Sequence, residues 1–324
     1  MIAGIVAGQM PYPIGGGVDP NVGINWTART SAADNQWASV AWSPTLGLFA
    51  AVANTGTGNR VMTSPDGITW TARTSAFDGA FSALCWAPGP SLFVAIGSSG
   101  AVMTSPDGIT WTQRTAPNAN NYVGVVASDS LVVACAFSGA GNRVMTSEDG
   151  VTWTARTTPA DLVWRDVAWS PSLGLFVAVA SDAVAGQVMT SQDGITWAQR
   201  TTPVANAWRS IAWSPALGLF VAVASSGTGN RVMTSPDGIN WTTRTSAADN
   251  NWVAVTWSAE RALWVAVANS GTGNRVMTSP DGINWTARTS AADNSWSDVT
   301  WSPALTRFVA IATTGIANRV MTSL

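Results

Sequence analysis

Arg, Asp, Asn and Trp are the residues of this chain that could do chemistry, and they fall at fixed intervals. Residues 34–60 carry Asp34, Asn35, Trp37 and then Arg60. The set returns as Asp249, Asn250, Trp252 and Arg275, and again as Asp293, Asn294, Trp296 and Arg319. Arg231 stands in the loop before Asp249, and further tryptophans of the same kind are Trp164 and Trp208. Asp and Asn bind hydroxyl pairs bidentately, and Arg adds a fixed fork of donors. With an indole to stack on the apolar face of a sugar, these are the groups of a shallow glycan pocket. A competing reading gives them to the scaffold. In it Asp34 and its equivalents cap turns, Arg60 and its equivalents pair with them, and Trp37 and its equivalents are core.

The rest of the composition removes reaction classes. The chain has 324 residues, a net charge of −2, and no histidine or lysine: all 16 basic residues are Arg. Histidine bases, Ser–His–Asp triads, Schiff-base lysines and the P-loop lysine are therefore excluded. Charged residues make up 10%, against ~25% in an average soluble domain. A weakly acidic chain with scattered Arg is a poor match for nucleic acid, and no apolar run reaches the ~18 residues of a membrane helix, so neither nucleic-acid binding nor membrane insertion is expected. Cys85 and Cys135 form no spaced ligand motif. They take places held by Ala and Val in other repeats and read as small buried hydrophobes. No metal or cofactor is expected.

These residues need elements to hold them, and the chain supplies the same elements seven times. WTxRT or a close variant recurs at Trp26, Trp70, Trp111, Trp153, Trp197, Trp241 and Trp285, spaced by 44, 41, 42, 44, 44 and 44 residues. VMTS also recurs seven times, from Val61 to Val320. A period of ~40–45 residues is that of a four-stranded propeller blade. The unit 252–289 reads as strands at 252–258, 263–268, 275–279 and 283–289, rich in Val, Trp, Thr and Ile and punctuated by Gly, Pro, Asn and Asp. The chain stops after a third strand, at RVMTSL, while a spare fourth strand, 24–30, precedes any first strand. The expected fold is an all-β, seven-bladed β-propeller over 23–324, closed in a 3+1 manner by the N-terminal strand. Closure removes the open ring ends that would seek another partner.

The most specific motif is SPDGITW at 64–70, repeated with small changes around Asp107, Asp149, Asp193, Asp237 and Asp281. It reads as a hairpin turn: Pro suits the second position of a type I turn, Gly a left-handed bulge, and Asp can accept backbone N–H groups. Here the chain resembles the Asp-box (BNR-repeat) propellers, the superfamily that includes sialidases, with one residue fewer between Asp and Gly. The resemblance covers 23–324. It implies a structural role for Asp66, Asp107, Asp149, Asp193, Asp237 and Asp281, away from any ligand site.

The sialidase residues do not carry over. No Tyr–Glu pair is available: Tyr12 lies in the leader, Tyr122 stands where other repeats have Trp, and Glu148 and Glu260 lie in turns. Near-identical blades are also poor hosts for one asymmetric active site, so the chain is expected not to be an enzyme. Such propellers look like phage-tail, virion-surface and related bacterial surface proteins. The resemblance implies a multivalent binder of a surface glycan or receptor, gaining avidity from repeated weak sites, on a virion surface or outside the cell. The alternative is a structural or protein-interaction propeller with no glycan site. Residues 1–22 are apolar and Gly-rich with no basic n-region, so no secretory signal is expected. They read as a leader or a segment that docks onto a virion or tail protein.

Overall fold

The computed structural model describes residues 21–324. The expected leader therefore lies, apart from Asn21 and Val22, outside the described residues. Seven four-stranded antiparallel sheets follow one another as the blades of a propeller. Blades 1 to 7 begin at Trp37, Phe81, Tyr122, Trp164, Trp208, Trp252 and Trp296. In blade 6 the inner strand is Trp252–Ser258, the second Leu263–Ala268, the third Val276–Ser279 and the outer Thr286–Arg288.

The outer strand is shorter than the 283–289 expected, because the preceding turn consumes its first residues. Ile283 and Asn284 donate their N–H groups to the Asp281 carboxylate, and the Trp285 indole folds back onto the Gly282 carbonyl. In all seven blades the outer-strand Arg donates its Nε to a Thr hydroxyl on the third strand at 2.8–3.0 Å.

Ring closure is as the repeat arithmetic requires. Thr27–Arg29 pairs antiparallel with Val320–Ser323, setting Ala28 opposite Met321. The turn that other blades make within one segment is here assembled from both ends of the chain. Gly23 N–H donates to the Ser323 hydroxyl at 2.6 Å, as Gly67 N–H does to Ser64 at 2.8 Å. Val22, standing where an Asp would be, is buried beside Leu263 and Phe308.

The hydrophobic core is divided among the blade interfaces. One cluster joins Trp37, Trp42, Phe49 and Met62 of blade 1 to Val309 and Ile311 of blade 7, and six more of the same kind complete the ring. The alternation of the strands explains this, since each sheet buries both faces against its neighbours. Two surfaces remain. The upper rim carries the loops from second to third strand and from one blade to the next. The lower face carries the hairpin turns, including the Asp-containing ones. An axial channel runs between them, walled by the seven inner strands.

Candidate functional site in the axial channel

The rim residues singled out by the sequence come together, but as a scaffold. Trp37, Trp164, Trp208, Trp252 and Trp296 are all 0% exposed. The Trp37, Trp164, Trp252 and Trp296 indoles donate to the carbonyls of Ala33, Ala160, Ala248 and Ala292 at 2.9–3.2 Å. The expectation that they offer a stacking surface to a sugar is thereby corrected: all five rings are buried, and in four of them the blade-to-blade loop takes up the indole N–H. Asn35, Asn250 and Asn294 are also buried, each donating to the carbonyl and side chain of an Asn in the next loop of the same blade: Asn59, Asn274 and Asn318.

Arg and Asp form latches between blades. Arg319 lies 3.6 Å from Asp34, Arg275 3.6 Å from Asp293, Arg231 3.7 Å from Asp249, and Arg60 3.5 Å from Asp78. Each Asp also accepts a loop N–H of the preceding blade at 2.7 Å, as Asp34 does from Ala317. Arg143 and Asp161 make a fifth latch, in a loop where the sequence pattern of Asp, Asn and Trp is broken. The carboxylates stay about two-fifths exposed while the guanidiniums are largely covered. The Arg donors are spent on carbonyls: Arg319 holds those of Gly315, Thr313 and, in blade 1's loop, Asn35.

In the lower-face turns Asp66, Asp107, Asp149, Asp193, Asp237 and Asp281 each accept two backbone N–H groups and a Ser hydroxyl. The N–H donors of Thr152 and Val151 hold Asp149 down to about 2. Burial works against ionisation of Asp237, yet the hydrogen bonds from Asn240, Ile239 and Ser235 outweigh it and bring it too to about 2.

The channel is where the blades cease to be alike. The second residue of each inner strand faces the upper mouth: Ala38, Ser82, Val123, Arg165, Arg209, Val253 and Ser297. The third residues are Ser39, Ala83, Gly124, Asp166, Ser210, Ala254 and Asp298. Every inner strand bulges between its first and third residues, and a bulge leaves a ladder position unpaired. Side chains at the third position take up the N–H groups around the lumen. Asp298 accepts from Val40 of blade 1 at 2.9 Å and from its own neighbour Val299 at 2.8 Å. Ser39 accepts from Leu84, Asp166 from Ile211 and Val167, and Ser210 from Val255. Each Asp follows a blade with Gly or Ala at this place, so it serves two N–H groups where Ser serves one.

Burial pushes Asp166 up to about 7, against the hydrogen bonds from Ile211, Ser210 and Val167, with Asp298 adding to the rise. Burial likewise raises Asp298 to about 6. The channel encloses about 600 Å³, and a cavity of about 280 Å³ lies at its upper mouth between Arg165, Arg209, Val123, Val253, Ser82 and Ser297. Arg165 is fixed: its Nε donates to Ser181 at 2.9 Å and its guanidinium lies 5.3 Å from the Phe137 ring centroid. Arg209 has no hydrogen bond or ion pair through its side chain among the described residues. Burial and the neighbouring Arg165 bring it down to about 10.

None of these lumen residues belongs to the repeated motifs, which is why repeat reading passed over them. The signal lay in the differences. In strands otherwise interchangeable, Arg165, Asp166, Arg209 and Asp298 replace Ala, Ser, Val or Gly.

The sequence matches no protein-family profile and no curated protein. Its fold is similar to virginiamycin B lyase from Staphylococcus aureus, with a TM-score of 0.78 at 10% identity over 93% of this chain and 99% of that one. It is similar to a streptogramin B lyase structure, TM-score 0.77 at 8% identity over 92% and 97%. It is also similar to YCF48 bound to D1 peptide, TM-score 0.68 at 15% identity over 92% and 94%. These likenesses establish the seven-bladed fold. They also correct the expectation that the chain is not an enzyme, because the same ring is the framework of a lyase. Similar blades do not make a symmetric lumen here: its wall is asymmetric.

Proposed function

We propose that this propeller is a binding protein that takes a segment of a protein partner into the upper mouth of its channel. One observation carries the reading: seven blades built on one repeated frame differ in charge and polarity where they face the axis. A scaffold alone does not need Arg165 and Arg209 together in a half-buried wall, since two cations side by side cost energy that a ligand must repay. The cavity opens beside apolar Val123 and Val253 and polar Ser82 and Ser297, the mixture of a preformed ligand site. YCF48, a propeller of similar fold, is described bound to a peptide, which supports a peptide as the class of ligand. The burial of the rim indoles takes away the surface on which a glycan reading rests.

A random-peptide display selection tests this. Enriched peptides are expected to lose binding when Val253→Trp fills the mouth and to keep it when the rim latch is cut by Asp78→Ala. No enrichment, or binding indifferent to Val253→Trp, overturns the proposal.

A further inference from the structure

Resting on that reading, we infer that the ligand is anchored by a carboxylate held between Arg165 and Arg209. The geometry specifies the place and the sign of the ligand's charge. Arg165 already has Asp182 as an electrostatic neighbour, and its Nε and one face are occupied by Ser181 and Phe137. Among the described residues its terminal nitrogens have no hydrogen-bond partner. Among the described residues no group takes up the side-chain donors of Arg209. The carboxylate below them, Asp166, does not serve as their counter-ion, because its oxygens are turned to the N–H groups of Val167 and Ile211. The mouth therefore carries an excess of positive charge in a chain whose net charge is −2. An anion supplies the missing negative charge.

A planar carboxylate also matches the guanidinium fork, and such charge-assisted bonds are roughly twice as strong as neutral ones. Val123 and Val253, on the flanking blades, meet the aliphatic part that carries the group. The carboxylate has two sources in a peptide, an acidic side chain or a free chain end, and both present the same oxygens.

The test is calorimetric titration of the full chain with four short capped peptides: one with an internal glutamate, its glutamine counterpart, a free C-terminal acid, and its amide. Glucuronate and inorganic phosphate are run beside them. At least one acid is expected to bind ten-fold or more tightly than its amide, which identifies the source. Arg209→Gln is expected to remove that preference and Arg209→Lys to retain part of it, with unchanged melting temperature. If Arg209→Gln does not fold, Ser82→Asp, which sets a competing carboxylate at the same mouth, is expected to weaken the acids equally. Equal binding of acids and amides, a preference for phosphate, or indifference to both variants overturns the carboxylate anchor. Neutral peptides that bind and are displaced by Val253→Trp leave the peptide function standing without it. Glucuronate that binds through Arg209 while no peptide does leaves the carboxylate site standing and removes the peptide function.

Discussion

At the scale of single residues the molecule contains two populations of aspartate that oppose each other in their response to pH. The turn carboxylates are held down by N–H donors, Asp149 and Asp193 to about 2. They add stability above the ordinary carboxylate range, and it is lost as pH falls from about 4 towards 2. Asp166 and Asp298 are held up, to about 7 and about 6. Between about 4 and 7 the folded chain keeps those protons while the unfolded chain has released them. Fewer protons bound in the unfolded state make stability fall as pH rises. Urea unfolding at pH 5, 6.5 and 8 is expected to show stability decreasing along that series. Asp166→Asn is expected to flatten the decline, and an unchanged slope would count against a buried lumen carboxylate. The sequence made the turn aspartates legible through their repeated Ser-x-Asp-Gly frame. It gave no such frame for Asp166, because burial inside a ring depends on the seven-fold closure and not on neighbours in the chain.

At the scale of elements the latches and hairpins decide how firmly blades meet. The Trp301 indole donates to Glu260, in the inner hairpin of blade 6, at 2.7 Å. The equivalent Trp257 indole N–H is buried with no hydrogen-bond partner among the described residues, and the residue corresponding to Glu260 is the exposed Ala216. Ala216→Glu is expected to supply the missing acceptor and raise stability by about 1 kcal/mol, read as an upward shift in urea midpoint. Removing a latch acts the other way. Arg319→Met takes a donor from three carbonyls at once and is expected to cost on the order of 2 kcal/mol in the same assay. An effect below about 0.5 kcal/mol would place it with ordinary exposed ion pairs. The strand positions could be read because Val, Trp and Thr alternate between Gly- and Pro-rich turns. The latch was legible only as an alternative, since Arg, Asp and Asn on a loop have the same composition whether they face a sugar or each other. Gln187 shows the constraint at work: where blade 4 lacks the Arg, its buried amide reaches the Asn206 carbonyl of the next blade's loop at 2.6 Å.

At the scale of the whole molecule, stability depends on one junction that no other blade has. Thr27–Arg29 covers the third strand of blade 7, Gly23 N–H closes its turn through Ser323, and Trp26 packs on Phe308 with ring centroids 6.3 Å apart. Arg319 and Asp34 join blade 7 to blade 1 at the rim. Deleting residues 1–30 removes the strand and leaves the backbone groups of Val320–Ser323 open along one edge, with Val22 and Trp26 gone from the last interface. An uncovered edge pairs with another chain, so sedimentation is expected to find oligomers or aggregates where the intact chain gives one species. Deleting residues 1–20 alone keeps the closing strand and tests the leader separately. A monomeric 1–30 deletion with an unchanged melting temperature would mean that the ring holds without its clasp, and the stability of the propeller would then have to reside in the six unbroken blade interfaces.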